Sequence, residues 1–200
     1  MRIPKSKAAL IVGVAVILSS LELSPLVSAR DAEPVVPMGA LAHAAVILEQ
    51  STGGKVLEIR LGDAVGAPAF EAALAKDDAV LYMRIESPSD NVTEIKVRDL
   101  PPWLLNYHLE AYLRSVAKAE VPLDAAIIKA EARDHAPAID AGIAKPLDGS
   151  HAVLAYFVET LKGTRRNELA VDATSGAFIA NPESLYEPHT PVELARRLAP

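Results

Sequence analysis

Polar and apolar residues alternate over residues 167–171 with the period of a half-buried β-strand. A cluster of turn-forming residues begins at Asp172 and ends at Gly176. Asp and Ser side chains in such a cluster hydrogen-bond nearby backbone N–H groups, and glycine takes a positive φ at no steric cost. Apolar residues resume at Phe178 and Ile179. The pattern therefore predicts a strand, a tight turn and a further strand.

A longer series of elements is predicted upstream of this hairpin. Between residues 38 and 50, apolar residues recur at helical spacing, namely Leu41, Ala44, Ala45 and Leu48. Glycines follow the last turn, where glycine commonly ends a helix. Apolar runs then predict four strands, over residues 55–61, 69–74, 79–85 and 92–97.

The order of these elements recurs when the chain is shifted by 86 residues. The shift places Asp90 on Gly176 in the turn, and Ala44 on Ala130 in a helix predicted over residues 123–133. Each copy then reads as a helix followed by three strands and a short strand. Few residues are identical between the copies, so chance similarity is the alternative to a duplication.

A duplication predicts two hydrophobic cores, each beneath one helix. One core would contain Phe70, Ala72, Met83 and Ile85, and the other would contain Tyr156, Val158, Leu169 and Val171. A helical bundle over residues 38–97 would contradict the duplication.

A third helix is predicted between the two copies, over residues 99–120. Two prolines suit its first turn, and apolar residues follow at helical spacing, namely Leu105, Leu109, Tyr112 and Val116. Apolar stripes of this kind usually pack in a core, which predicts a connecting helix on a sheet. The alternative is a helix that docks onto a partner protein.

A helix followed by an antiparallel meander that closes on Val171-Asp172-Ala173-Thr174-Ser175-Gly176 resembles the PepSY domain. The likeness covers residues 121–181 well and residues 38–97 more weakly, because Asp90 replaces the glycine of the motif. The resemblance implies an α+β fold of two tandem cystatin-like PepSY modules, each a helix packed on a three- or four-stranded antiparallel sheet. Val171, Asp172 and Gly176 match the motif, and their simplest role is to shape the hairpin.

The predicted organisation divides the chain into six parts. These are a signal peptide (1–29), a linker (30–37), a degenerate PepSY-like module (38–98), the connecting helix (99–120), a PepSY module (121–182) and a C-terminal tail (183–200).

The first 29 residues have the pattern of a secretory signal peptide. Basic residues precede an apolar stretch over residues 8–18, and Val27 and Ala29 occupy the −3 and −1 positions of a cleavage site. The alternative is an uncleaved membrane anchor, but the stretch is shorter than the roughly 20 residues of a membrane span, and Glu22 interrupts its extension. We expect cleavage after Ala29 and a periplasmic or secreted protein with no membrane span.

Composition narrows the functional classes. Half of the residues are hydrophobic, which allows a packed core, and a net charge of −6 without a basic patch argues against a nucleic-acid partner. The absence of cysteine excludes disulfides, thiolate nucleophiles, Cys-ligated metals and a lipid-modified cysteine. The histidines show no metal-binding spacing: His43, His108, His135, His151 and His189. We expect no catalytic residue, no metal and no cofactor.

The PepSY resemblance implies a non-catalytic module that binds or inhibits peptidases outside the cytoplasm. The predicted function is therefore that of an exported protein that binds, and inhibits or regulates, a peptidase or another envelope protein. An accessible strand edge could pair with an extended peptide of that partner. The alternatives are a periplasmic small-ligand or metal-binding protein, and an exported hydrolase whose nucleophile–base pair the chain does not reveal.

Overall fold

The computed structural model describes residues 35–62, 68–76, 79–87, 89–99, 116, 118–144, 146–147 and 152–187 of the 200-residue chain, with the backbone alone for residues 94–99. The predicted signal peptide, most of the predicted connecting helix and the tail beyond residue 187 lie outside the described residues. All of the described residues belong to one compact unit, residues 34–200.

Two α-helices and seven β-strands account for most of the described residues. The helices are α1 (Ala40–Thr52) and α2 (Leu123–Asp134). The strands are β1 (Lys55–Gly62), β2 (Ala69–Lys76), β3 (Ala79–Glu86), β4 (Asn91–Asp99), β5 (Ala138–Ile143), β6 (Ala155–Lys162) and β7 (Arg165–Asp172). A short 3-10 helix, Pro182–Ser184, follows β7.

Two features of the strand pattern differ from expectation. Sequence patterning does not identify β5, because the buried Asp140 and Gly142 interrupt its alternation of apolar and polar residues. The strand expected at Phe178 and Ile179 is reduced to a single bridge between Phe178 and Val171.

All seven strands form one antiparallel sheet in the order β4-β3-β2-β1-β5-β6-β7. The predicted α+β class is confirmed. At the centre of the sheet, β1 pairs with β5, with Ile59 opposite Ala141. The edges of the sheet are β4 and β7.

Both helices pack on a single hydrophobic core. Leu41 and Leu48 of α1 and Ile127 of α2 belong to the same cluster of buried side chains. That cluster also contains Phe70, Ala72, Met83, Ile85, Tyr156, Val158 and Val171, and Leu169 packs against it. The expectation of two separate cores is therefore wrong, because the pairing of β1 with β5 makes the apolar surfaces of the two halves continuous. We call the side of the sheet opposite this core the far face.

Both helices end in the same way. Gly53 follows α1 with a φ of 70°, and His135 follows α2 with a φ of 53°. The N–H of each residue donates to the carbonyl four residues earlier, that of Glu49 or Glu131. A left-handed residue is a common helix ending, and glycine adopts it more readily than histidine.

The same two glutamates bind the strand that follows each helix. The Oε1 atom of Glu49 accepts a hydrogen bond from the N–H of Val56 (3.0 Å), and the Oε1 atom of Glu131 accepts one from the N–H of Ala138 (2.9 Å). The buried Glu131 also accepts, through Oε2, a hydrogen bond from the N–H of Gly39 (2.8 Å) at the start of α1.

A β-bulge recurs at the equivalent place in each half. Leu57 is the extra residue of β1 opposite β2, and Ile139 is the extra residue of β5 opposite β6. Because bulges are specific, unpaired insertions in a ladder, their coincidence aligns β1 with β5 at a shift of 82 residues.

The two halves therefore correspond at two shifts and not at one. β2 and β3 correspond to β6 and β7 at the expected 86 residues, but α1 and β1 correspond to α2 and β5 at 82. The helix alignment that placed Ala40 and Ala44 on Ala126 and Ala130 is wrong, since Ala44 corresponds to Ala126. The connection between the first two strands is longer by four residues in the second half.

The register between β1 and β5 is symmetric about the pair Ile59–Ala141. Glu58 lies opposite Gly142, and Arg60 lies opposite Asp140. Since Ile59 corresponds to Ala141 at the shift of 82 residues, each partner in this pairing has its equivalent on the other strand. The two halves thus meet through equivalent strands.

Candidate functional site

The turn after β7 is braced by the side chain that begins it. The Oδ1 atom of Asp172 accepts hydrogen bonds from the backbone N–H groups of Thr174 (2.7 Å) and Ser175 (2.9 Å). The N–H of Gly176 donates to the carbonyl of Asp172 (2.8 Å), and Gly176 has a φ of 70°. We call residues 172–176 the motif turn.

The three residues of the sequence motif have distinct positions. Val171 is fully buried in the core, Asp172 is half-buried, and Gly176 closes the turn. Hydrogen bonds from the N–H groups of Ser175 and Thr174 lower the pKa of Asp172 below its usual range, because they stabilise the carboxylate. These contacts account for the carboxylate without a ligand or a reacting group.

Two cations of α2 hold the chain that leaves the motif turn. The Nζ atom of Lys129 donates a hydrogen bond to the carbonyl of Gly176. The guanidinium of Arg133 lies 4.2 Å from the centroid of the Phe178 ring, and Nζ of Lys129 lies 5.5 Å from the same centroid. Both distances suit cation–π attraction, which ties the returning chain to the helix.

The turn after β3 reaches the same backbone conformation without a glycine. Asp90 has a φ of 52°, close to the 70° of Gly176. The Nε2 atom of His43 on α1 lies 3.1 Å from both carboxylate oxygens of Asp90. In each half, therefore, a polar side chain of the helix contacts the left-handed residue of the turn, His43 in the first half and Lys129 in the second.

The outer side of β7, away from β6, accepts an extended segment of the same chain at one end. The N–H of Asp172 donates to the carbonyl of Ala177 (2.8 Å), and the carbonyl of Ala170 accepts from the N–H of Ile179 (2.9 Å). Residues 177–179 thus run along the last part of β7.

The rest of that side, along residues 165–169, carries no further strand among the described residues. Successive residues of a strand direct their backbone groups to opposite sides. Because Ala170 and Asp172 point outward, the backbone groups of Arg166 and Glu168 also point outward. We call this stretch the outer edge of β7.

The far face differs in chemistry between the halves. In the first half, the carboxylate of Glu71 binds Arg60 at 2.9 Å and lies 3.6 Å from Arg84, which makes a charged ladder across three strands. The corresponding positions in the second half carry Gly142, Phe157 and Ala170. An apolar surface thus replaces the ladder.

A polar group that the sequence does not reveal joins α2 to the β6–β7 hairpin. The Oδ2 atom of Asp134 accepts hydrogen bonds from the hydroxyl of Thr160 and from Nδ2 of Asn167 (2.7 Å). Burial opposes the ionisation of Asp134, but these hydrogen bonds, with the charges of Arg133 and Lys162, outweigh it and lower its pKa. No sequence pattern joins these residues, because the tertiary fold alone brings them together.

The histidines do not converge. His43 contacts Asp90, and His135 ends α2. His108, His151 and His189 lie outside the described residues. Over the described ranges, no group of three or more His, Asp or Glu side chains is placed to hold a metal ion.

Comparisons with known proteins give little beyond the shape. No family model and no curated protein matches the chain. One solved structure that resembles it is that of a "putative lipoprotein" from Clostridium difficile 630, with a TM-score of 0.45 and 17% identity, over 68% of this chain and 88% of that one. In the part of the chain that the structure describes, no helix is long and apolar enough to cross a bilayer.

Proposed function

We propose that this chain is an exported, non-catalytic protein of two tandem PepSY-like modules that binds, and thereby inhibits or regulates, a peptidase or another envelope protein. Export rests on the signal-peptide pattern of residues 1–29. The outer edge of β7 is the surface that we assign to the partner.

The recurring details of the two halves support the duplication. Each half has a left-handed helix end, a glutamate bound to the following strand, a bulge in the first strand and a left-handed turn residue after the third strand. Chance similarity would not reproduce four unrelated backbone features in the same order. The motif of the PepSY resemblance, Val171 to Gly176, forms the last of these features in the second half.

The carrying observation for binding is the strand addition that the chain already performs on itself. Residues 177–179 use the outward backbone groups of Ala170 and Asp172, and the outward groups of Arg166 and Glu168 continue the same line. An extended peptide can add to such an edge through main-chain hydrogen bonds, while its side chains supply specificity.

The side chains of this edge favour a foreign partner over a second copy of the chain. Arg165, Arg166 and Glu168 are all exposed. Charged residues on an edge strand discourage pairing between identical edges. A peptide of complementary charge pattern pairs without that penalty.

The test compares capture by the chain from residue 30 onward with capture by two variants at one position. Glu168→Pro removes an outward N–H, and proline is tolerated on edge strands. Glu168→Thr removes the same charge but keeps the N–H, so it is the matched control. Each protein is immobilised, exposed to envelope extract, and the eluate is identified by mass spectrometry and assayed for peptidase activity.

We expect the wild-type chain and Glu168→Thr to retain the same protein in a 1:1 ratio, and Glu168→Pro to retain at least tenfold less. Circular dichroism establishes that all three are folded. Equal retention by Glu168→Pro would contradict the assigned edge. An eluate without a stoichiometric protein would contradict the proposed function, and metal analysis with a ligand-shift melting screen would then follow.

A further inference from the structure

A segment near the C-terminus folds back across the far face of the second half. Tyr186 is fully buried there. Its ring meets the ring of Phe157 edge-on, with centroids 5.7 Å apart and an interplanar angle of 76°. Three small side chains complete the surroundings of the tyrosine, namely Ala144, Ala155 and Ala170. We call these four residues the seat and residues 182–187 the strap.

The strap is held as an extended peptide ligand is commonly held. The hydroxyl of Tyr186 donates a hydrogen bond to the carbonyl of Val153 (2.8 Å). The N–H of Leu147 donates to the carbonyl of Leu185 (2.9 Å), and Pro146 forms a β-bridge with Tyr186. One buried aromatic anchor with main-chain pairing beside it is a typical mode of peptide recognition.

The fold itself does not require an occupied seat. The seat and Tyr186 form a cluster separate from the core beneath the helices. In the first half, the positions of Phe157 and Ala170 are taken by Glu71 and Arg84, whose charges face solvent in part. The sheet therefore forms there without an apolar seat, which indicates that the seat has a role of its own.

We propose that the seat is a docking site for an extended, tyrosine-bearing peptide segment of a partner protein, and that the strap occupies this site as an internal competitor. The small alanines leave room for one ring, and the carbonyl of Val153 selects a hydroxyl. This site is on the far face and does not depend on the outer edge of β7.

The test uses full-length mature protein and a fluorescent synthetic peptide with the sequence of residues 180–188. Tyr186→Ala empties the seat, and Tyr186→Phe keeps the ring while removing the hydroxyl. Fluorescence anisotropy should show at least tenfold tighter binding of the peptide to Tyr186→Ala than to wild type or Tyr186→Phe. A peptide carrying Tyr186→Ala should not bind any of the proteins.

Equal binding to a folded Tyr186→Ala and to wild type, or binding that ignores the peptide's tyrosine, would overturn the proposal. If Tyr186→Ala does not fold, amide hydrogen exchange of the wild-type protein decides. The N–H of Leu147 is bonded to the strap, whereas the N–H of Ala144 is bonded to Ala155 in the sheet. We expect exchange at Leu147 to be at least tenfold faster than at Ala144, and equal rates would overturn the proposal.

Discussion

The backbone N–H of Gly39, at the start of α1, donates a hydrogen bond to the Oε2 atom of Glu131 on α2, 2.8 Å away. Gly39 has no side chain that could cap α1 itself. A carboxylate at a helix N-terminus satisfies a free N–H and interacts favourably with the helix dipole. The second half of the molecule thus caps the helix of the first.

We expect Glu131→Ala to lower the free energy of unfolding by about 3 kcal/mol, because it leaves two buried N–H groups without an acceptor. Equilibrium unfolding in urea measures the loss. Glu49→Ala is the matched control: Glu49 makes the equivalent strand contact but is partly exposed, so its loss should be about 1 kcal/mol. Similar losses for the two variants would contradict the capping role of Glu131.

Gly176→Ala should destabilise the protein by about 1 kcal/mol, because an alanine is strained at positive φ. The added Cβ would lie 3.4 Å from Cγ2 of Val121, an ordinary contact, so the effect is one of backbone conformation. Gly176→Asn should lose less, since asparagine tolerates this conformation. Thermal unfolding distinguishes them, and an equal shift for both variants would contradict this cause.

Stability should decline at low pH in part through Asp172. Its pKa is lower in the folded chain than in the unfolded chain, where it is about 3.9. The stabilisation is therefore present above pH 4 or so and is lost as the pH falls through the folded-state pKa. Asp172→Asn keeps an oxygen acceptor but cannot ionise, so its unfolding free energy should fall less between pH 5 and pH 2. The same fall as in wild type would contradict this assignment.

Tyr156 predicts a loss of stability at high pH. Burial, followed by the carboxylates of Glu49 and Asp124, raises the pKa of Tyr156 to about 12. Because the unfolded value is about 10, the folded state resists ionisation, and its advantage is full below pH 10 and is lost as the pH rises toward 12. Tyr156→Phe keeps the ring, so its urea midpoint should change less over this range. Parallel curves for the two proteins would show that Tyr156 does not contribute.

The sequence predicts the local elements far better than the contacts between them. β2 and β3 begin where their patterns begin, at Ala69 and Ala79, because each is a short apolar run bounded by turn residues. β5 is missed because Asp140 and Gly142 lie within it. The burial of Tyr186 is also missed, since a tyrosine in a polar, proline-containing segment carries no periodic signal.

The turns show the same limit at the candidate site. The bracing of the motif turn by Asp172 follows from residue types alone, because both partners lie within three residues. The contact of His43 with Asp90 spans 47 residues and depends on how α1 lies on the sheet. The outer edge of β7 likewise depends on the strand order, which local patterns do not encode.

The most direct test of the binding proposal is amide hydrogen exchange of the chain alone and in complex with the purified envelope protein that it captures. The account predicts at least tenfold slower exchange at the outward N–H groups of Arg166 and Glu168 in the complex. The N–H of Asn167, which faces β6, should change little. Unchanged exchange at Arg166 and Glu168 in a stable complex would contradict the claim that the outer edge of β7 binds the partner.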